Sequence, residues 1–266
     1  MVSYRFSVAL LALTVSASAA SAQAPVTLRV RLQQGQTLRY KTEIETWIGV
    51  RNAAVDTTQP ARVLTLFTTR TVAAVSGDTA IIRDQVDSAW VRTPGIRGVD
   101  TMAIRRAADA MRGVVTLSAV DGRGRLLDYA AGTTRTDSVD PALQAVLPMA
   151  GLLRVVFVLP ADPVSPGASW SERVASGDAM GSVSMTARYT LDRTARTDGR
   201  DIATISAAGE MGGGGLGNAM SARFDGTLDY DMGDSQPTRF VIMVQGTMAG
   251  RGGDLPMKVK RTLVRL

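Results

Sequence analysis

The chain has 266 residues, 30 Lys and Arg against 24 Asp and Glu, no histidine and no cysteine. Without histidine the commonest general base and metal ligand are missing, which excludes Ser-His-Asp triads, Cys-His dyads and Cys/His zinc sites. Without cysteine there are no disulfide staples, and the fold must rest on its own core.

The first residues read as an export signal. Arg5 gives a positive start, Val8 to Val15 a short apolar core, and Ala20-Ser21-Ala22 a small-x-small cleavage pattern. Cleavage is expected after Ala22, leaving a signal peptide at 1–22 and a single domain at 23–266. The apolar core is shorter than the ~20 residues a membrane span requires. Charges interrupt every later apolar run, so no transmembrane segment is expected after cleavage. With no cysteine to carry a lipid anchor, the mature protein is expected to be periplasmic or secreted.

The formal charge is +6 and the pI about 10.1. The basic residues are nearly all arginine, with lysine only at Lys41, Lys258 and Lys260. They alternate with other residues, as in Arg29-Val30-Arg31 and Arg223-Phe224-Asp225, and aromatics make up only 5%. Nucleic-acid binders concentrate positive charge and interleave it with stacking aromatics, so no nucleic-acid partner is expected. Only the run Lys258-Val259-Lys260-Arg261 has the density to attract an anionic membrane surface.

Period-2 alternation dominates the rest of the chain. Val26, Leu28, Val30 and Leu32 share a face, then Leu38, Tyr40, Ile44 and Ile48. Later, Val183, Met185, Ala187, Tyr189 and Leu191 alternate with polar residues, as do Met220, Ala222, Phe224, Leu228 and Tyr230. Strand side chains point alternately to opposite faces, so each segment has one dry and one wet side, the pattern of an antiparallel sheet. Turn signals at Ser76-Gly77-Asp78, Asp121 to Gly124, Asp198-Gly199 and Gly233-Asp234 separate the segments. Strands are expected near 26–32, 36–49, 62–76, 79–92, 114–120, 124–130, 168–175, 181–197, 201–211, 219–232, 238–250 and 256–265.

Two segments break the alternation. Val99 to Met111 carries Val99, Ala103, Ala107 and Met111 at helical spacing with Arg105, Arg106 and Asp109 opposite, which predicts an amphipathic helix. Asp140-Pro141 then starts a second helix. Pro148 divides it, and its apolar second piece runs to Leu159. The stretch Leu159 to Trp170, with prolines at 160, 163 and 166, is a rigid connector, and Trp170 is expected to plug one end of the core. The predicted class is mainly β with two or three helices (α+β): a single curved antiparallel sheet or half-barrel with helices over its concave face.

Few residues suggest chemistry. Met211 to Gly217 is glycine-rich but lacks the Lys-Ser/Thr ending of a phosphate loop, and a hairpin loop is expected there. Asp225, Asp229 and Asp231 share a strand face with Arg223 and read as a solvated edge with cross-strand ion pairs. Asp84 falls on the face of Ala80, Ile82, Val86 and Trp90. A carboxylate there needs a partner such as an arginine; the preferred alternative is a bulge that turns it outward. No catalytic constellation, metal site or cofactor is read, and the chain is not expected to be an enzyme.

Leu159-Pro160 through Gly167-Ala168-Ser169-Trp170, the hairpin from Tyr189-Thr190-Leu191-Asp192 to Ile202, and Phe224 through Asp231-Met232-Gly233 together resemble a lipoprotein-like half-barrel. This is the superfamily of Lol lipoprotein carriers and mycobacterial lipid-binding lipoproteins, and uncharacterised exported bacterial proteins of that build are closer still. The resemblance implies a concave sheet face, covered by helices, that holds a lipid or acyl chain. The expected cavity lining is Tyr40, Ile44, Trp90, Leu143, Leu147, Leu152, Val156, Tyr189 and Phe224. The alternative is a structural or protein-interaction module of the cell envelope, with an envelope protein partner, the same fold and a filled core.

Overall fold

The computed structural model describes residues 24–49, 58–94, 101–131, 157–178, 181–215, 218–250 and 253–266. Among the described residues there are eleven strands: β1 (Thr37–Ile48), β2 (Arg62–Ser76), β3 (Thr79–Arg92), β4 (Val115–Asp121), β5 (Leu126–Ala131), β6 (Ser169–Asp178), β7 (Gly181–Thr197), β8 (Arg200–Gly215), β9 (Asn218–Asp231), β10 (Gln236–Gly250) and β11 (Gly253–Arg265). One helix among the described residues, α1 (Thr101–Met111), lies between β3 and β4.

All eleven strands form one antiparallel, nearly closed sheet in the order β5-β4-β3-β2-β1-β11-β10-β9-β8-β7-β6. Two meanders therefore meet where the first and last strands pair. The hairpins follow from turn chemistry. Asp198 and Gly199, at φ 50° and 76°, close β7 onto β8, and two successive positive φ values suit the right-handed twist of the flanking strands.

The inner face is built of rungs that cross many strands. Leu191, Ile205, Leu228, Phe240, Leu263, Thr42, Leu66 and Ala89 stand side by side from β7 round to β3. The next rung is Tyr189, Ala207, Gly226, Ile242, Arg261, Ile44, Leu64 and Val91. Small residues at Ala187, Ala207, Gly209, Gly226 and Gly246 let the sheet curl tightly. A Cβ at Gly209 would collide with the Thr186 carbonyl and the tip of the Phe224 ring, so glycine makes room for that ring.

One end of the curled sheet is plugged. Val26 bridges Val164, the Val30 amide donates to the Gly122 carbonyl, and the Leu159 amide donates to that of Arg123. Leu28, Val158 and Leu159 are fully buried in the main core with Tyr189, Leu191 and Ile205. The Trp170 indole donates to the Val158 carbonyl at 2.8 Å and stacks on Tyr189 with centroids 5.6 Å apart.

Several expectations are corrected. Residues 26–32 alternate as a strand would, but among the described residues they make a single isolated bridge and serve as plug. There is one described helix, not two or three. Most of the second predicted helix falls outside the described residues, and its end at 157–159 is not helical. Pro160 disfavours a helical Leu159, whose amide is committed to Arg123 across the fold. The described part of the glycine run is strand, not loop: Gly212 to Gly214 continue β8 with ladders to β7 and β9 on either side, and Leu216 and Gly217 lie outside the described residues. Asp231 is buried, its Oδ1 accepting from the amides of Gly233 and Asp234 at 3.0 and 3.1 Å. Asp225 is exposed, and Arg223 pairs with Glu210 at 3.4 Å across the strands.

Candidate functional site: the inner face of the sheet

Of the residues expected to line a cavity, Tyr40, Ile44, Tyr189 and Phe224 lie on the inner face and are buried. Leu143, Leu147, Leu152 and Val156 lie outside the described residues. Trp90 faces outward, 53% exposed, with its ring edge-on to Phe67 at 5.2 Å. The cause is a bulge in β3 at Asp87, where the pairing steps from Phe67↔Ser88 to Thr68↔Val86. Asp87 is turned out and accepts a hydrogen bond from Thr69 Oγ1 at 2.6 Å. One extra residue exchanges the faces of everything beyond it, so Ala89 and Val91 point in and Trp90 points out.

The bulge falls after Asp84 and leaves it facing inward. Arg70 stands directly opposite on β2 and grips both carboxylate oxygens, Nε to Oδ1 at 2.8 Å and Nη2 to Oδ2 at 2.9 Å. The Arg70 guanidinium also lies 5.2 Å from the centre of the Tyr40 ring. Burial would lower the Arg70 pKa, but the charge and hydrogen bonds of Asp84 outweigh it and hold Arg70 above its usual value. The pair is partly desolvated but still reached by solvent, with 26% and 27% of the side-chain surfaces accessible.

The C-terminal basic run is divided by the strand period. Lys260 points out and pairs with Glu45 at 2.7 Å, and Lys258 lies over the Trp47 ring at 5.4 Å. Arg261 points in, in register with Ile44 and Ile242, its guanidinium 5.3 Å from the centre of the Phe240 ring. Burial pushes the Arg261 pKa down to about 10, with nearby Arg70 adding to the effect and Asp84 opposing it. Arg261 therefore keeps its charge at neutral pH. Parity puts Asp84 on this face, though a bulge turning it outward is the preferred expectation and is corrected here; Arg261 could have been found by the same parity, since it alternates with Val259 and Leu263.

Toward the end away from the plug the inner face becomes soft and apolar. Val174, Met185, Met211, Ala222, Gly246, Met257 and Ile48 form one rung from β6 to β1. Methionine is flexible and polarizable and adapts to irregular apolar partners. Two hollows among the described residues are lined mainly by the opposite, outer face. One of about 780 Å³ includes Arg173, Glu210 and Arg223, and one of about 540 Å³ includes Arg188, Asp225 and Lys260.

Three inward tyrosines give the fold an alkaline limit. Burial raises the pKa of Tyr40 and Tyr230 and pushes Tyr189 up to about 12. The Tyr230 hydroxyl donates to the Arg29 carbonyl at 2.6 Å. A raised folded-state pKa stabilises below the unfolded value, near 10, and that stability is lost as pH rises through the folded value. Arg261 acts oppositely, because its folded value is the lower one. Tyr189 and Tyr230 each change stability by about 1.4 kcal/mol per pH unit over that window and Arg261 offsets one of them, so the net loss is about 1.4 kcal/mol per unit, with Tyr40 adding to it in the same direction. Urea midpoints should be level from pH 6 to 9 and fall steeply between pH 10 and 12. A level profile to pH 12 would contradict the burial of these phenols.

No protein-family model matches the chain, and no curated protein matches it in sequence. Among solved structures it is similar to lipovitellin, in a structure concerned with lipid–protein interactions. The identity is 9%, over 89% of this chain and 25% of that one, with a TM-score of 0.47. It is also similar to the hypothetical lipoprotein YmcC from Escherichia coli K12, at 10% identity over 88% of this chain and 90% of that one, with a TM-score of 0.29. The chain thus spans 25% of the lipovitellin chain.

Proposed function

We propose that this protein is an exported, non-catalytic carrier that holds an apolar ligand, a lipid or acyl chain, against the inner face of its sheet. The observation that carries this reading is a broad apolar inner face that bears an ion pair still touched by solvent. Rungs of leucine, isoleucine, methionine and small residues run across it, while the inward Arg70 and Asp84 keep about a quarter of their surface accessible. A packed core would seal that pair off. The plug closes one end with bulky residues, and the methionines stand toward the other, where a ligand of variable shape would lie.

Protein purified from its own cell envelope and sprayed under native conditions tests the reading. The expected spectrum shows a reproducible adduct of lipid mass that is lost on organic extraction. Adduct-free spectra from repeated gentle preparations, together with no uptake of an apolar probe dye, would reject it in favour of a filled core.

A further inference from the structure

We propose that the outward face of β3, β2, β1, β11 and β10 docks on an anionic membrane surface, with Trp90 set into the lipid interface and the surrounding cations against acidic head groups. This stands apart from the carrier reading, which concerns the opposite face of the sheet.

The first observation is an exposed ring. Trp90 is 53% exposed, whereas Trp47 is buried and Trp170 is packed on the plug. The bulge at Asp87 turns Trp90 outward, edge-on to Phe67. A tryptophan held out of a sheet presents an apolar body and a polar N–H, the combination enriched where water meets lipid.

The second is charge. Four successive outward rungs, those of Phe67, Trp90, Arg92 and Trp47, carry Lys41, Lys258, Lys260, Arg92 and Arg239 against Glu43 and Glu45. Carried on through β9, β8 and β7, the same rungs have no cationic excess: Arg188, Arg193 and Arg223 stand with Glu210, Asp225 and Asp229. The positive charge is thus gathered on the side that holds Trp90. All three lysines of the chain are there, and a lysine stem can lie along apolar surface while its ammonium reaches an acidic group.

The third is the mixture. Val264, 36% exposed, stands directly beside Lys41, with Phe67 on the other side of it. A hydrated polyanion would engage the cations and leave Trp90, Phe67 and Val264 in water. A bilayer interface takes both kinds of group, since each cation near it is attracted to anionic lipid and each apolar group leaves water.

The test is co-sedimentation of protein purified from its own cell envelope with two kinds of vesicle: phosphatidylcholine alone, and phosphatidylcholine with about one-third phosphatidylglycerol. Wild type should bind the anionic vesicles at least about tenfold tighter, and the difference should shrink as salt is added. Acyl-brominated phosphatidylglycerol should quench part of the tryptophan emission. Trp90→Ser should remove most of that quenching and weaken binding about fivefold. Trp90→Phe, which loses the indole emission and keeps a ring, serves for the quenching should the serine variant not fold. Arg92→Gln with Arg239→Gln should cut the anionic preference to about threefold or less, while Arg188→Gln with Arg223→Gln should leave it within about twofold of wild type. All four arginines are exposed, so both pairs should fold, which circular dichroism checks. Equal wild-type binding to the two vesicles overturns the proposal. So does an equal loss in the two arginine pairs, which would make the attraction one of overall charge. Quenching undiminished in the Trp90 variants places the lipid elsewhere and overturns it, as does capture by soluble heparin with no vesicle binding. None of these results depends on a lipid held inside the fold, so this proposal and the carrier reading fail separately.

Discussion

Val158→Asp should unfold the protein. Val158 has 0% of its surface exposed and sits in the main core with Leu28, Leu159 and Tyr189. Its carbonyl already accepts from the Trp170 indole. Removing the valine forfeits ~1.5–3 kcal/mol of burial. The aspartate must then ionise without a partner or stay protonated against its intrinsic preference, at a cost of several kcal/mol more. The total, about 5 kcal/mol or more, is comparable to the whole stability of many domains. Val75→Asp is the matched control. It also lies at an inner register position, but at the far end of β2 and 40% exposed, and should cost about 0.5 kcal/mol or less. Near-ultraviolet circular dichroism and urea unfolding of the two variants measure the difference. Similar, small losses at both positions would mean that the plug does not hold the core.

The reason for that contrast bears on what was legible in the sequence. Eleven strands could be placed because each hides one face and announces its end with glycine or aspartate. Residues 26–32 carry the same alternation, yet their backbone groups bond to Val164, Gly122 and the Tyr230 hydroxyl. Periodicity reports that one face is dry, not which neighbour makes it dry. The mouth of a curled sheet is dried by whatever chain is laid across it.

Bulges set the other limit. Counting back from the Ser76-Gly77-Asp78 turn places Thr71 opposite Asp84. The extra residue at Ala73, between the pairs Val72↔Ile82 and Ala74↔Ile81, shifts the strand by one and brings Arg70 there instead. The need for an arginine partner was legible in the parity of Asp84. The identity of the partner was not, because a bulge leaves no alternation signal of its own. The bulge at Asp87 likewise turned Trp90 from a lining residue into a surface one. Arg261 was concealed differently: read as part of a basic cluster, it is separated from Lys258 and Lys260 only once the strand period is applied to the run.

Glu172→Ala should cost about 3–5 kcal/mol, the loss expected when one partner of a buried ion pair is removed. Glu172 is on β6, one edge of the sheet; Arg123 and Arg125 flank the turn into β5, the other edge. Arg123 Nη2 donates to Glu172 Oε1, and Arg125 Nη2 donates to Oε2 at 3.1 Å. Glu172 and Arg123 are 15% and 18% exposed in their side chains, and Arg125 is 40% exposed, so most of the effect belongs to the Arg123 pair. Arg123 also donates through Nε to the Leu159 carbonyl at 2.8 Å, which ties the seam to the plug. Losing the carboxylate leaves a buried guanidinium and unclasps the one join between the two edges that ion pairs make among the described residues. The double variant Glu172→Met with Arg123→Met removes both charges and refills the space. It should be more stable than Glu172→Ala, because a buried pair can be replaced by apolar groups at little cost while half a pair cannot. Hydrogen exchange should accelerate first in β5 and the start of β6 in the alanine variant, as local opening begins where the fewest strands hold the chain. If the double variant is no more stable than the single one, packing at the seam, and not charge, closes the sheet.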